Sequence, residues 1–409
     1  MLVVVMDFEA ITFQNPQWTG EKFSTPKFKR GVFAKLKDSL KNRMAVSVCG
    51  MRRTGKSTAL KQLANHLVEN GTNPANTLYY SFDVQNGSPL EVYREWTEKF
   101  SIGKTDVHYV FFDEIQNVKD WGAKIKVIYD NTNAKIFLSG SAGLLVRKGQ
   151  ESLAGRVLEL SLDPLGFTEY CSLKNTELQG MEWELYRQYI HAQLPELVTT
   201  GVSSKEYIGS LIQKVTREDL ARYFDAPDAG LAETLFRMVA RQPGQIMDYS
   251  SLGRELGYNR ETIARYLDAL ENSFLVRKIY NYSGNTRKTE KSSKKFYPYC
   301  ANLCDYVSPL LADFSLVAET DVAFQTGAQF FYNKNGTEID FLCGHEALEY
   351  AVEVKTKNDV DKRDIRTLIS NPVRMPKLAV VTAQGANVRI PKEISNIPLY
   401  KAGKITGKQ

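Results

Sequence analysis

Residues Met44–Leu60 read MAVSVCGMRRTGKSTAL: an apolar run, a glycine-rich turn and the opening of a helix in direct succession. The turn, Gly50-Met51-Arg52-Arg53-Thr54-Gly55-Lys56-Ser57, has the spacing G-x-x-x-x-G-K-[ST]. Gly50 and Gly55 let the backbone curl until successive N–H groups point into one concavity, at the positive end of the helix that follows. Lys56 adds a mobile positive charge suited to β- and γ-phosphates, and the Ser57 hydroxyl suits Mg²⁺. The stretch reads as a cradle for a nucleoside triphosphate. Its contacting residues are expected to be Gly50, Arg52, Arg53, Thr54, Gly55, Lys56, Ser57 and Thr58.

Working outward, Asn73-Pro74 leads into a second strand, Thr77 to Asp83, and a helix is expected over Pro89–Lys99. The next strand, His108-Tyr109-Val110-Phe111-Phe112-Asp113-Glu114, is almost continuously apolar and ends in two carboxylates. Such runs are buried parallel strands, and open α/β sheets bind ligands at the carboxyl ends of their strands. Asp113 is then placed to hold Mg²⁺ through its water shell, and Glu114 to orient and deprotonate an attacking water. A fourth strand, Ala134–Leu138, ends in Ser139-Gly140-Ser141. Ser139 there either senses the γ-phosphate between the two earlier sites or is ordinary turn chemistry. Arg156, after Gly155, reads either as a residue reaching a γ-phosphate, in its own chain or a neighbour's, or as a surface ion pair. Upstream, Trp18 in Asn15-Pro16-Gln17-Trp18 reads either as a wall for the adenine base or as a solvent-shielding turn, ahead of a helix over Arg30–Lys41.

A chain of 409 residues exceeds one core, so several domains are expected. No apolar run approaches a membrane span, and the opening MLVVVM lacks a basic n-region and a small-residue cleavage site. It reads as a first strand, with the protein in the cytoplasm and no membrane partner. Cys49, Cys171, Cys300, Cys304 and Cys343 form no disulfide framework or zinc spacing and are expected as buried thiols. The net charge of +6 permits a nucleic-acid partner without requiring one.

These residues resemble those of the AAA-type ATPases of archaea and bacteria. The similar group has an AAA-like core and a C-terminal region related to restriction-type nucleases. The resemblance lies in GMRRTGKST, VFFDEIQ, FLSGSA, and LAGRV followed by LDPLGFTEY. The chain departs from the group's Gly-Gly-x-Pro turn, reading His191-Ala192-Gln193-Leu194-Pro195 instead. The resemblance implies adenine over guanine, hence ATP with Mg²⁺. The expected fold is α/β: a P-loop NTPase parallel sheet with a helical lid, a winged helix-turn-helix and a small C-terminal α/β nuclease-like domain. The expected boundaries are 1–165, 166–228, 229–300 and 301–409.

Within the lid, Trp183, Leu185, Tyr186 and Tyr189 recur at helical spacing and are expected to pack inward. In the winged helix, Leu231–Ala240 is a first helix. Ser250 and Ser251 are caps for a second over Leu252–Leu256, Asn259–Leu267 opens a third, and Phe274 starts a wing strand. If the third helix enters a DNA groove, Asn259, Arg260, Thr262 and Arg265 are the contacts; otherwise the module packs on the core or on a partner. Arg287, Lys288, Lys291, Lys294 and Lys295 cluster in the expected wing loop.

Further on, strands Gln329–Tyr332 and Glu338–Leu342 flank a Lys334-Asn335-Gly336 turn, and Tyr350–Lys355 follows. Alternation puts Glu338 with Asp340 on one face and Glu353 with Lys355 on one face. Asp followed by Glu-x-Lys on the next strand is the arrangement of metal-dependent nucleases, with Asp340 and Glu353 on Mg²⁺ and Lys355 placing the water. By the resemblance, Glu319 corresponds to the extra helix carboxylate of the restriction-endonuclease-like fold. A helix near Asp359–Ser370 and a strand Leu378–Val381 complete this unit.

The leading expectation is an enzyme, an ATPase that couples Mg-ATP hydrolysis to nucleic-acid binding or remodelling. Its alternatives are a slow nucleotide-dependent regulatory switch for a protein or DNA partner, or an ATP-gated metal-dependent nuclease. A homo-oligomer or a protein partner fits each of these.

Overall fold

The computed structural model describes residues 8–84, 87–141, 153–178, 180–220, 224, 228–307 and 313–407. The strand expected at residues 1–6 lies outside them. The chain divides into two compact units, Met1–Asp163 and Pro164–Gln409.

The first unit is an α/β P-loop NTPase fold. Its five strands are β1 Ala45–Cys49, β2 Thr77–Ser81, β3 His108–Asp113, β4 Ala134–Gly140 and β5 Val157–Ser161. They are all parallel, in the order β2-β3-β4-β1-β5. β1 to β4 are almost wholly buried, as strands covered on both faces must be. Alternation sorts the side chains. Val46, Val48, Tyr79, Phe111 and Phe137 pack toward α2 (Val32–Ser39), which follows the short α1 (Phe8–Phe13) in the chain, and toward α3 (Lys56–Glu69). Leu78, Tyr80, Val110, Phe112, Ile136 and Leu138 pack on the other face, toward α4 (Pro89–Lys99) and α5 (Trp121–Asn131). The strand order has a chemical consequence. β4 lies between β1, which leads into the phosphate loop, and β3, which carries Asp113.

β2 is an edge strand, whose backbone groups would otherwise stand unpaired. The segment from Gln14 to Arg30 covers it. Fully buried Asn15 donates from Nδ2 to the Tyr79 carbonyl at 2.8 Å and accepts the Tyr79 N–H at 2.7 Å, as a neighbouring strand would. Gln14 accepts from Ser81 N, and Gln17 and Trp18 donate to the Thr77 carbonyl. The segment then crosses α3, where Gln62 holds the carbonyls of Pro26 and Phe28, and reaches the phosphate loop at Arg30. Trp18 packs between Phe8 and Phe100, with ring centroids at 5.9 and 4.8 Å, so its ring is taken up by core contacts. Asn15→Ala leaves the Tyr79 N–H and C=O unpaired, and is expected to destabilise this unit by about 2–4 kcal/mol. Urea unfolding followed by tryptophan fluorescence measures it; a loss below about 0.5 kcal/mol would show that the edge is held by other contacts.

In the second unit eight strands form one mixed sheet: β6 Gln245–Ile246, β7 Val276–Asn281, β8 Lys294–Pro298, β9 Phe330–Lys334, β10 Thr337–Cys343, β11 Tyr350–Lys355, β13 Lys377–Thr382 and β15 Ile394–Pro398. The order is β15-β13-β11-β10-β9-β7-β8-β6, with β12 Asp359–Asp361 and β14 Asn387–Arg389 forming a separate pair. The stretches expected as a winged helix and as a C-terminal domain thus share one sheet, joined by the short parallel pairing of Tyr280 and Asn281 with Phe330 and Phe331. Residues of the stretch expected as a lid are anchored within this unit too. Tyr186, Tyr189 and Gln193 all donate to Asp321 in the helix Phe314–Thr326.

Several expected elements shift. Asp248, not Ser250 or Ser251, caps the helix Tyr249–Leu256, because its carboxylate accepts from Ser251 N at 2.6 Å. The stretch expected as a wing loop holds a helix, Thr286–Lys291, capped by Asn285. The span Asp359–Ser370 is a strand followed by the short helix Arg366–Ser370. All five cysteines are free and buried. No helix of the described residues is long and apolar enough to cross a membrane.

Candidate active site

The phosphate loop leaves β1 at Gly50 and enters α3 at Lys56. A Cβ on Gly50 would lie 2.2 Å from the Leu162 carbonyl oxygen, so only glycine fits there. Gly55 has φ +98°, in the left-handed region that favours glycine. The Lys56 ammonium is buried and donates to the carbonyls of Gly50 and Met51 at 2.9 and 2.8 Å. Burial pulls its pKa below the ordinary lysine value, although Glu114 and Asp113 work the other way. Thr54 braces the loop from within, its hydroxyl donating to the Met51 carbonyl at 3.0 Å. Arg52 is buried beside Lys56, while Arg53 is exposed with φ +66°. Ser57 and Thr58 form the first turn of α3, where unpaired N–H groups and the helix dipole favour an anion.

Across β4, Asp113 closes β3 and is buried. Both of its oxygens accept hydroxyl hydrogens, Oδ2 from Tyr79 at 2.6 Å and Oδ1 from Ser139. Ser139 Oγ also accepts the Glu114 N–H at 3.2 Å, so this hydroxyl ties the two acidic residues together. Glu114 has φ +53°, a costly conformation for a side-chain-bearing residue and one that clusters at functional sites. Its carboxylate accepts from Gln116 and, at 2.9 Å, from Ser141. Burial pushes the Glu114 carboxyl up, but Lys56, Arg52 and these hydrogen bonds outweigh it and hold the group below its usual range. Glu114 is therefore ionised at neutral pH. A buried carboxylate, a nearby serine hydroxyl and an ammonium fit a hard cation and a polyphosphate, and Ser57 and Asp113 are the side chains that would hold the ion.

Arg156 directly precedes β5, and its carbonyl accepts from Ala45 N at the start of β1, the opposite end of that strand from the phosphate loop. Its Nε donates to Asp130 at 3.1 Å, an ion pair within its own unit. Sequence reasoning missed four residues of this site. Arg30 donates to the Thr54 carbonyl at 2.7 Å and to the Asp163 carbonyl at 2.8 Å, bracing the loop from outside. Tyr79, Gln116 and Ser141 hold the two carboxylates. Gln116 and Ser141 lie within the motifs VFFDEIQ and FLSGSA, whereas Arg30 and Tyr79 lie in none of the motifs.

A second polar cluster lies within the C-terminal unit. It brings together Glu319 from the helix Phe314–Thr326, Glu338 and Asp340 from β10, Glu353 and Lys355 from β11, and Lys295 and Tyr297 from β8. Lys355 donates to Glu353 at 2.7 Å, Lys295 to Glu338 at 2.5 Å, and Tyr297 to Glu319 at 2.5 Å. Asp340 accepts from Val354 N at 2.8 Å and shares a hydrogen bond with Glu353. Burial and the Asp340 charge push Glu319 up to about 7 and Glu353 up to about 8. Burial opposes the charges of Lys295 and Lys355, but the carboxylates around them prevail and raise both. Lys295, expected in an exposed wing loop, is thus buried in this cluster. Among the described residues no group of three or more His, Cys, Asp or Glu side chains is arranged to hold a metal ion.

The four residues expected on a nucleic-acid face divide. Asn259 caps the helix Arg260–Asn272, its Oδ1 accepting from Thr262 N at 2.7 Å, so that oxygen and that N–H are engaged with each other. Arg260 and Arg265 are exposed on the helix, and the Arg265 guanidinium lies 5.0 Å over the Phe224 ring. The Thr262 side chain is half-buried.

Residues 42–171 match a family model described as an AAA domain, and residues 182–307 match one described as a domain of unknown function, DUF8612. An uncharacterized protein of Haemophilus influenzae is 28% identical over 262 residues, 61% of this chain and 66% of that one. One of Methanocaldococcus jannaschii is 27% identical over 285 residues, 61% of this chain and 59% of that one. The chain thus spans less than two thirds of the length of either relative. Among solved structures, AMPPCP-bound DnaA from Aquifex aeolicus is 14% identical, covering 63% of this chain and 92% of that one at a TM-score of 0.31. The S. cerevisiae Hsp104–ADP complex is 11% identical, covering 63% and 39% at a TM-score of 0.34. Neither structural likeness is close enough to carry an argument. The matched AAA domain, the phosphate loop and the parallel sheet together support an AAA-type P-loop ATPase domain in the N-terminal unit.

Proposed function

We propose that this protein is an Mg²⁺-dependent ATPase that couples ATP hydrolysis to the binding or remodelling of nucleic acid. The observation that supports hydrolysis most directly is the meeting of the Lys56 loop, Asp113 and ionised Glu114 at one end of the parallel sheet. Phosphoryl transfer asks a protein mainly for positioning and for charge opposite the γ-phosphate. Loop N–H groups and the α3 N-terminus bind the phosphates, and Lys56 exchanges two carbonyl partners for phosphate oxygens. Bound Mg²⁺ would supply charge neutralisation across the β- and γ-phosphates. Glu114, held by Gln116 and Ser141, orients the water and takes its proton.

The nucleic-acid half of the proposal rests on the second unit. Helices Ala229–Arg241, Tyr249–Leu256 and Arg260–Asn272, followed by the β7–β8 ribbon, have the order of a winged helix. Arg260 and Arg265 are exposed on the third helix, and Arg287, Lys288 and Lys291 on the helix between the ribbon strands. Exposed arginine and lysine along one module suit phosphate contact. The test is steady-state ATP hydrolysis with and without single-stranded, duplex and branched DNA. One form is expected to raise turnover, and Arg260→Ala with Arg265→Ala to lower that stimulation while leaving the DNA-free rate unchanged. Turnover that is slow and indifferent to every DNA would favour the regulatory switch with a protein partner.

A second reading, an ATP-gated metal-dependent nuclease, has in its favour the convergence of Glu319, Asp340, Glu353 and Lys355. It predicts DNA cleavage in Mg²⁺ or Mn²⁺ that Asp340→Ala and Glu353→Ala abolish. Lack of cleavage of all three DNA forms by the wild type removes it.

A further inference from the structure

Tyr79 belongs to none of the motifs, yet it touches both residues that would hold the metal ion. It lies on β2, on the sheet face that packs against α3, and its side chain is buried. Its hydroxyl donates to Asp113 Oδ2 at 2.6 Å and also meets the Ser57 hydroxyl. Burial first, and then the Asp113 carboxylate, hold the phenol well above its ordinary pKa, so it stays a donor at any physiological pH.

The residue is fixed from several sides. Asn15 takes both of its backbone hydrogen-bonding groups, Phe23 packs edge-on at 5.5 Å between centroids, and the Lys61 ammonium lies 4.9 Å over the ring. Asp113 is therefore gripped from the neighbouring strand on each side, by Tyr79 of β2 and by Ser139 of β4. A carboxylate with both oxygens engaged keeps one orientation, and metal sites depend on such outer partners to aim their ligands.

We propose that Tyr79 is a positioning residue for nucleotide-bound Mg²⁺: its hydroxyl holds the Asp113 carboxylate and the Ser57 hydroxyl at one place, oriented for the ion. The proposal rests on the ATPase reading for its metal. It assigns to the sheet edge, and through Asn15 to the N-terminal segment, a part in metal affinity that the phosphate-loop and acidic-strand motifs do not contain.

The test uses the full chain and a fluorescent ATP analogue, with binding measured in EDTA and across an Mg²⁺ titration at fixed nucleotide. Tyr79→Phe removes the hydroxyl alone. It is expected to leave affinity in EDTA unchanged and to raise the half-saturating Mg²⁺ about tenfold, the usual scale for a hydrogen bond to a charged group. Tyr80→Phe, which deletes a hydroxyl on the opposite face of the same strand, is expected to match the wild type. A wild-type Mg²⁺ requirement in Tyr79→Phe overturns the proposal. So does an equal loss of affinity with and without Mg²⁺, which would mark a structural role. A wild type that binds nucleotide without hydrolysing it would remove the ATPase reading and leave this comparison intact, whereas one that binds no nucleotide would overturn both.

Discussion

Glu114→Gln is expected to bind ATP as tightly as the wild type and to hydrolyse it about 10²–10³-fold more slowly, the usual range for losing one general base or one transition-state contact. The substitution keeps the size and most of the polarity of the side chain but removes its charge and its ability to take a proton. Binding is spared because the phosphates meet the loop, Lys56 and the α3 N-terminus, none of which depends on Glu114 for its place. Losing the carboxylate removes one charge that supports the Lys56 ammonium and, with it, one that repels phosphate, two changes of opposite sign. Single-turnover hydrolysis alongside equilibrium binding separates the two effects. Turnover within about threefold of wild type would show that another group activates the water.

The second large effect is expected at Asp321, a fully buried carboxylate. Four neutral donors hold it: Tyr186 at 2.8 Å, Tyr189 at 3.2 Å, Gln193 at 2.8 Å and Gln325 at 2.5 Å. Asp321→Ala takes the acceptor from all four, although Gln193 keeps Tyr189 and Gln325 keeps the Leu399 carbonyl. The cost to the second unit is about 3–5 kcal/mol, since each buried donor left unpaired costs about 1–3 kcal/mol. The same site predicts a pH dependence. Burial pushes Asp321 up to about 6 despite those hydrogen bonds, while Glu319 and Glu353 rise to about 7 and about 8. A carboxyl whose pKa is higher folded than unfolded binds its proton more tightly in the folded state. Stability is therefore greatest when the group is protonated and falls as pH rises from about 4 through the folded value. Exposed Asp361, held at about 2 by Arg363, acts in the opposite direction only below about pH 4. Hydrogen exchange in the helix Phe314–Thr326 should thus slow, after correction for intrinsic rates, as pH drops from 8 to 5. Protection that weakens over that range would contradict the assignment of these three groups.

How much of this was readable beforehand varies with the distance over which each feature is made. The phosphate loop and the β3 carboxylates were legible because phosphate binding imposes its demands on adjacent residues, and a buried parallel strand declares itself by a continuous apolar run. Residues that act across the sequence were not. Asn15 reaches Tyr79, Arg30 reaches Thr54, and Tyr79 reaches Asp113, each by a contact that no local pattern encodes. Lys295 shows the same limit in a strand. Lys294 and Lys295 are neighbours of equal charge, and the pairing of Lys295 with Ile279 settles which one turns inward. A helix is expected near Asp359–Ser370, but long-range pairing of Asp359 with Asn387 draws its first residues into a strand. Helix caps fall between these cases: Ser250 and Ser251 are the expected caps, and Asp248, two and three residues before them, is the one that binds the helix N-terminus.

The most direct test of the central claim is phosphate release from ATP by the purified protein in Mg²⁺, measured beside Lys56→Ala and in EDTA. Turnover by the wild type that disappears in both controls is the predicted result. Equal release by wild type and Lys56→Ala, or release that survives removal of the metal, would contradict it.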